Sequence, residues 1–148
     1  MTKKNQKGRW GNHLLFAAIA LSGISPAYAQ ENAVHDDLKI MLELNKLTTQ
    51  NQSCELTFLV ENKMITKVKK LSLEFAFLDE KGQLSKLATL NFGDLVSGRP
   101  KIAQFGLTDM RCEDLSKIFI NSASECDSIS ADDCIGVISK TNKTSVKF

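Results

Sequence analysis

Hydrophobic side chains recur at every second position along much of this chain, and that period constrains the fold more tightly than any other feature. Successive side chains of a strand point to opposite faces, so a period of two gathers the apolar residues on one of them. Leu71, Leu73, Phe75 and Phe77 alternate with Ser72, Glu74, Ala76 and Leu78, which is the clearest strand pattern in the chain. Ile40, Leu42 and Leu44 alternate with Met41, Glu43 and Asn45, and predict an earlier strand. Cys54, Leu56, Phe58 and Val60 alternate with Glu55, Thr57, Leu59 and Glu61, and predict another. Further strands are expected within Leu84 to Phe92, from Ile102 to Leu107, from Lys117 to Ala123, and from Ile135 to Lys140 with an extension towards Phe148.

Turn chemistry separates these segments. Thr49 to Ser53 is a polar cluster, Asp79-Glu80-Lys81-Gly82 offers a glycine where a tight hairpin needs a left-handed residue, and Ser97-Gly98-Arg99-Pro100 is a second strong breaker. Cys112 to Ser116 suits a single helical turn. Short strands at regular spacing, without a long amphipathic helix, predict an all-β fold: an immunoglobulin- or fibronectin-like antiparallel β-sandwich of about seven strands. One segment has a second reading, because Val34, Leu38, Met41 and Leu42 also fit a helical stripe across Val34 to Leu47.

The first 29 residues carry a different signature. Lys3, Lys4, Lys7 and Arg9 precede the apolar run Leu14 to Leu21, followed by Pro26 and the small-x-small triplet Ala27-Tyr28-Ala29. That order matches a secretory signal peptide cleaved after Ala29, and the apolar run is too short for a membrane span. No cysteine follows the cleavage point to take a lipid. Residues 30–37, polar and without period, are expected to form a flexible lead-in, and residues 38–148 a single domain.

Cleavage would correct the composition of what remains. The signal holds four of the 19 basic residues and none of the 17 acidic ones, so acidic residues outnumber basic ones in the mature chain. A near-neutral protein without a basic stripe has no source for strong phosphate binding, which argues against a nucleic-acid partner. Trp10 and Tyr28, the only Trp and Tyr, leave with the signal, and with them the rings that sugar and peptide grooves commonly use. The antibody-type Trp and corner Tyr are therefore absent, and the likeness is to the broad sandwich architecture.

Four cysteines in an exported chain imply two disulfides. Strand order selects the pairs. In an up-and-down succession the second and sixth strands begin at the same end, where Cys54 opens one and Cys112 precedes the other. Cys126 and Cys134 both fall in the connection between the sixth and seventh strands. The expected bridges are Cys54 with Cys112 and Cys126 with Cys134, contributing about 4 and about 2.5 kcal/mol on the chain-entropy model. Pairing Cys112 with Cys126 would have to span an extended strand of roughly 20 Å, too far for a bridge. A zinc site or a redox dithiol would call for Cys-x-x-Cys spacing, which does not occur.

Candidate chemistry is sparse. His13 falls in the signal, so His35, in the lead-in, is the one histidine of the mature chain. The acidic pairs Asp79-Glu80, Glu113-Asp114 and Asp132-Asp133 sit at expected turns, where solvated carboxylates are common, and adjacency does not place two carboxyls across a cleft. Asp127, Asp132 and Asp133 lack the loop spacing and glycine of a dedicated calcium site. Lys63, Lys67, Lys69 and Lys70 form a basic run that suits either a solvated, edge-protecting loop or contact with an acidic partner or lipid headgroups. No catalytic residue, cofactor or metal ligand is expected.

Leu42-Glu43-Leu44-Asn45, the run Cys54 to Asn62, Phe77-Leu78-Asp79 with Gly82, and Arg111-Cys112 leading to Ile118 to Asn121 resemble a family of small exported alphaproteobacterial proteins with an immunoglobulin-like pattern. The resemblance implies a periplasmic location and lends no catalytic residue. The expected function is non-enzymatic binding of a protein or envelope partner through loops or an open sheet edge, with no transmembrane anchor after cleavage. The alternatives are an exported hydrolase or enzyme inhibitor using turn carboxylates, and a carrier of a small apolar ligand. Intact-mass measurement of the exported protein is expected to give a chain beginning at Gln30; a mass that retains residues 1–29 would overturn the signal-peptide reading.

Overall fold

The computed structural model of this chain describes residues 39–127 and 129–148, excepting the side chains of Ala131 and Asp132. The signal segment, the lead-in with His35, and Val34 to Leu38 of the helical alternative lie outside the described residues. Seven strands form two sheets: β1 (Ile40–Gln50), β2 (Ser53–Asn62), β3 (Val68–Leu78), β4 (Leu84–Leu95), β5 (Pro100–Leu107), β6 (Lys117–Cys126) and β7 (Ile138–Asn142). One sheet has the order β5-β2-β1-β7 and the other β4-β3-β6, an all-β sandwich. A 3-10 turn spans Cys112–Asp114, and a short helix, α1, spans Ala131–Gly136.

Where the period of two held, the strands stand where it put them, several extended by one to three residues so that Cys126 closes β6 rather than falling in the connection after it, and with two further refinements. Residues 40–47 are strand rather than helix, and β1 continues to Gln50 past a register shift between Leu44 and Lys46. The loop at its end is only Asn51-Gln52, with Asn51 at φ 56°, a conformation Asn tolerates. The seventh strand starts later than expected. Ile135 lies in α1, because Ser130 caps that helix through its hydroxyl, which accepts from the Asp133 amide, while its carbonyl accepts from the Cys134 amide. Not every neighbouring pair is antiparallel either: β7 runs parallel to β1, with Ile40 opposite Ile138 and Leu44 opposite Asn142.

The β3–β4 hairpin shows how local chemistry sets register. Gly82 takes φ 74°, and the Asp79 carboxylate accepts from the amides of Lys81 at 2.9 Å and Gln83 at 2.8 Å. These are the hydrogen bonds of a turn stabilised by its own aspartate.

The core fills the space between the sheets. Phe58 of β2 is fully buried, with ring centroids 5.6 Å from Phe75 of β3, 5.6 Å from Phe92 of β4 and 6.1 Å from Phe105 of β5. Phe148, reached by a segment that crosses from β7 to β6, completes the cluster at 5.8 Å from Phe58 and 6.3 Å from Phe75. That segment is held by backbone bonds from Lys147 to Ser116 and from Ile118 to Lys147. Aliphatic side chains from both sheets, among them Leu42, Leu56, Leu73 and Ile118, surround the rings. Each fully buried side chain of this size contributes about 1.5–3 kcal/mol over its exposed state.

Two lysines cross from one sheet to the other. Lys86 of β4 stands opposite Phe77, and Lys101 of β5 stands opposite Val60, so both lie on core-facing sides of their strands. The Lys86 ammonium donates to the Thr108 carbonyl at 2.8 Å, and that of Lys101 to the Phe92 carbonyl at 2.7 Å. Ammonium heads reach the rim while their stems cover apolar surface.

The disulfides join Cys54 to Cys112 and Cys126 to Cys134, with Cα atoms 4.7 Å and 6.3 Å apart. The first rivets the β5–β6 crossover to β2. Thr49 reinforces it, its hydroxyl accepting from the Cys112 amide at 3.1 Å and donating to the Glu113 carboxylate at 2.9 Å. The second ties α1 to the end of β6.

Phe148→Ala is expected to lower unfolding stability by about 2 kcal/mol, because the ring is partly exposed, whereas a fully buried Phe costs more. Phe119→Ala, on the outward face beneath Lys117, should cost less than half of that. Urea denaturation of both variants measures the difference, and equal losses would contradict the role given to Phe148.

Candidate docking loops

Strand alternation sends the β2–β3 and β4–β5 connections to one end of the sandwich and the β3–β4 and β5–β6 connections to the other. A buried asparagine organises the first end. Asn62, fully buried at the close of β2, donates through Nδ2 to the carbonyls of Thr66 at 2.8 Å and Leu95 at 3.1 Å, while its Oδ1 accepts from the Met64 amide at 2.9 Å. All of its side-chain polar atoms are thereby engaged, the condition for burying an amide. The two loops are further joined by the Gly98 amide donating to the Asn62 carbonyl at 2.7 Å and the Ser97 hydroxyl donating to the Met64 carbonyl at 2.5 Å.

This bracing determines what the loops present. Met64 turns inward and is buried, which leaves Ile65 pointing out at 86% exposure. Val96, on the adjoining loop, is 44% exposed. Cations surround them: Lys63 and Lys67 flank Ile65, and Arg99 and Lys101 line an open depression of about 300 Å³ with Asp94, Val96 and Pro100. Lys67 reaches Asp94 at 2.9 Å, and that contact holds the Asp94 carboxyl below its ordinary range.

The lysine run singled out in the sequence divides. Lys63 and Lys67 belong to the loop, whereas Lys69 and Lys70 lie within β3. Lys70 turns to the sheet surface and pairs with Glu125 of β6 at 2.5 Å. The Glu125 carboxyl is held low by that hydrogen bond and by a second from the Ser72 hydroxyl at 3.1 Å.

At the opposite end, Asp79, Glu80, Glu113 and Asp114 come together around one open depression, with Lys81 and Arg111 among them. Most of these carboxylates already serve the fold. Asp79 closes its turn, Glu113 accepts from Thr49, and Asp114 pairs with Arg111 at 3.0 Å, which holds its carboxyl low. Asp133 accepts from the Ser130 hydroxyl at 2.6 Å in the cap of α1, and Asp127 lies in the connection before it. The Asp132 side chain lies outside the described residues. Among the described residues no group of three or more His, Cys, Asp or Glu is placed to hold a metal ion, and no helix is long and apolar enough to cross a membrane.

Sequence reasoning had the lysines of this end but not its apolar tip. An isoleucine between strands, in the run Lys63-Met64-Ile65-Thr66-Lys67, was the available signal. Arg99 was legible only as part of a turn, and Lys101 stood between that turn and the strand expected from Ile102, because their place at this end depends on how the two loops meet.

No protein-family model matches the chain, and no curated protein matches it in sequence. Among solved structures it is similar to IrmA from Escherichia coli, with a TM-score of 0.57 and 12% identity over 74% of this chain and 97% of that one. A likeness at that identity is one of fold: the described sandwich has a counterpart of nearly the same extent.

The depressed carboxyls fix the sign of an acid response. A carboxyl held low in the folded state adds stability above its unfolded pKa and loses it as pH falls through the folded one. The ordinary values are 4.5 for Glu125 and 3.8 for Asp94 and Asp114, so these contributions fade on acidification below about pH 4.5. Thermal denaturation from neutral pH down to about pH 3 should show a falling midpoint. Glu125→Gln should flatten the upper part of that fall, and an unchanged profile would remove Glu125 from the account.

Proposed function

We propose that this chain is a non-enzymatic binding module, exported to the periplasm as its leader and the alphaproteobacterial resemblance imply, that meets a protein or envelope component through the β2–β3 and β4–β5 loops. One observation carries the reading. A large apolar side chain, Ile65, is held out in solvent on a loop whose backbone is pinned by a fully buried asparagine. Isolated exposed apolar residues are ordinary, but here Val96 adjoins and cations form a rim, the composition of a contact surface. Two disulfides are consistent with an oxidising compartment.

The other readings have less support. Hydrolysis by the turn carboxylates would use groups that already close a turn, anchor Thr49 or pair with Arg111. A carrier would need room between the sheets, and that space is occupied by Phe58, Phe75, Phe92 and Phe148.

A photo-reactive side chain placed at Ile65 in the exported protein is expected to cross-link a specific protein or envelope species in cells, and one placed at Glu80, at the opposite end, is not. Equal labelling from both positions, or none from Ile65, would overturn the assignment of these loops.

A further inference from the structure

We infer that the surface these loops meet is an anionic lipid bilayer. The inference rests on the loop assignment above and names its partner. The 63–67 and 96–99 loops present Ile65 as the most exposed large apolar side chain among the described residues, with Val96 about half as exposed beside the shallow depression. A stable protein interface needs roughly 800 Å² from each partner with matched shape, more than two short loops supply. A bilayer makes no such demand, since headgroups rearrange around a protruding side chain, and shallow insertion of apolar residues to about 5–10 Å is how interfacial elements bind.

Charge selects the kind of bilayer. Lys63 and Lys67 sit on either side of Ile65 in sequence, and Arg99 and Lys101 stand beside Val96. Asp94 opposes them but is paired with Lys67, and Glu61 lies at the end of β2. Lys101 gives one hydrogen to the Phe92 carbonyl, and an ammonium has three to give. Lys63 and Arg99 have no ion-pair partner among the described residues. Cations in this position are attracted to phosphate headgroups within about a Debye length, and each strengthens binding to an anionic leaflet. At the opposite end Asp79, Glu80, Glu113 and Asp114 are matched by Lys81, Arg111, Lys117 and Lys147, so that end gains no net attraction to the same surface and the molecule would approach with the Ile65 end forward.

Flotation of the full mature chain, disulfides intact, with phosphatidylcholine vesicles with and without phosphatidylglycerol tests the inference. Binding is expected only with phosphatidylglycerol, and should weaken in high salt. Ile65→Asp should reduce partitioning roughly thirty-fold by removing the inserted side chain and adding a like charge. Lys63→Glu should reduce it roughly ten-fold or more, whereas Glu80→Lys should not reduce it. All three positions are exposed loop or turn sites, so the variants should keep the wild-type denaturation midpoint. Failure to bind phosphatidylglycerol vesicles, or binding unaffected by Ile65→Asp, overturns the lipid assignment. If Ile65 nevertheless cross-links a protein in cells, the loop assignment stands and its partner is an acidic protein; if it cross-links nothing, both readings fall.

Discussion

Everything in this fold depends on one aromatic side chain being surrounded. Phe58 lies at the middle of β2 and meets rings from β3, β4 and β5 and from the segment after β7. Two sheets that share no backbone ladder are held face to face chiefly by side chains, and an aromatic ring carries more buried area per position than an aliphatic side chain. The single Phe58 ring therefore makes the two sheets, and the closing segment, parts of one packed interior rather than two layers in contact.

The core fixes the middle of the sandwich and leaves its ends to other forces. At the end of the β3–β4 and β5–β6 connections the constraint is covalent, the Cys54–Cys112 bridge holding the long β5–β6 crossover against β2. At the basic end it is polar, Asn62 supplying from one side chain the hydrogen bonds that a loop backbone lacks. A buried amide is costly unless every polar atom is paired, and for that reason it specifies a single loop arrangement more sharply than an apolar residue would. Ile65 is held outward because Met64 is held inward.

Most of the architecture was legible in the sequence. The alternation Leu71 to Leu78 marked the central strand of its sheet, and Gly82 and Gly98 marked turns where the chain takes positive φ. Both cysteine pairs followed from strand order alone. What could not be read depends on long-range geometry. Ile135 was expected to open the seventh strand, but a serine cap and the bridge from its neighbour Cys134 to Cys126 place it in a helix instead. The parallel placement of β7 beside β1 leaves no trace in either segment's period. The loop end was half visible: its lysines stood out, while the part Asn62 plays emerged only when the carbonyls of Thr66 and Leu95 were found on either side of it.

Lys86 and Lys101 have a consequence for how copies of this molecule behave towards one another. Both occupy inward-facing positions on outermost strands, β4 of one sheet and β5 of the other. An exposed strand edge is a template on which a second chain can continue the sheet, and a charged side chain aimed inwards at such an edge is a recognised obstacle, because continuation would trap the charge in a dry layer. Here the obstacle is doubled and tethered, since Lys101 is bonded to the Phe92 carbonyl of β4 and Lys86 to the Thr108 carbonyl just past β5. The side of the sandwich where β4 and β5 meet is therefore protected against runaway strand addition, and a second copy of the chain finds no open template there.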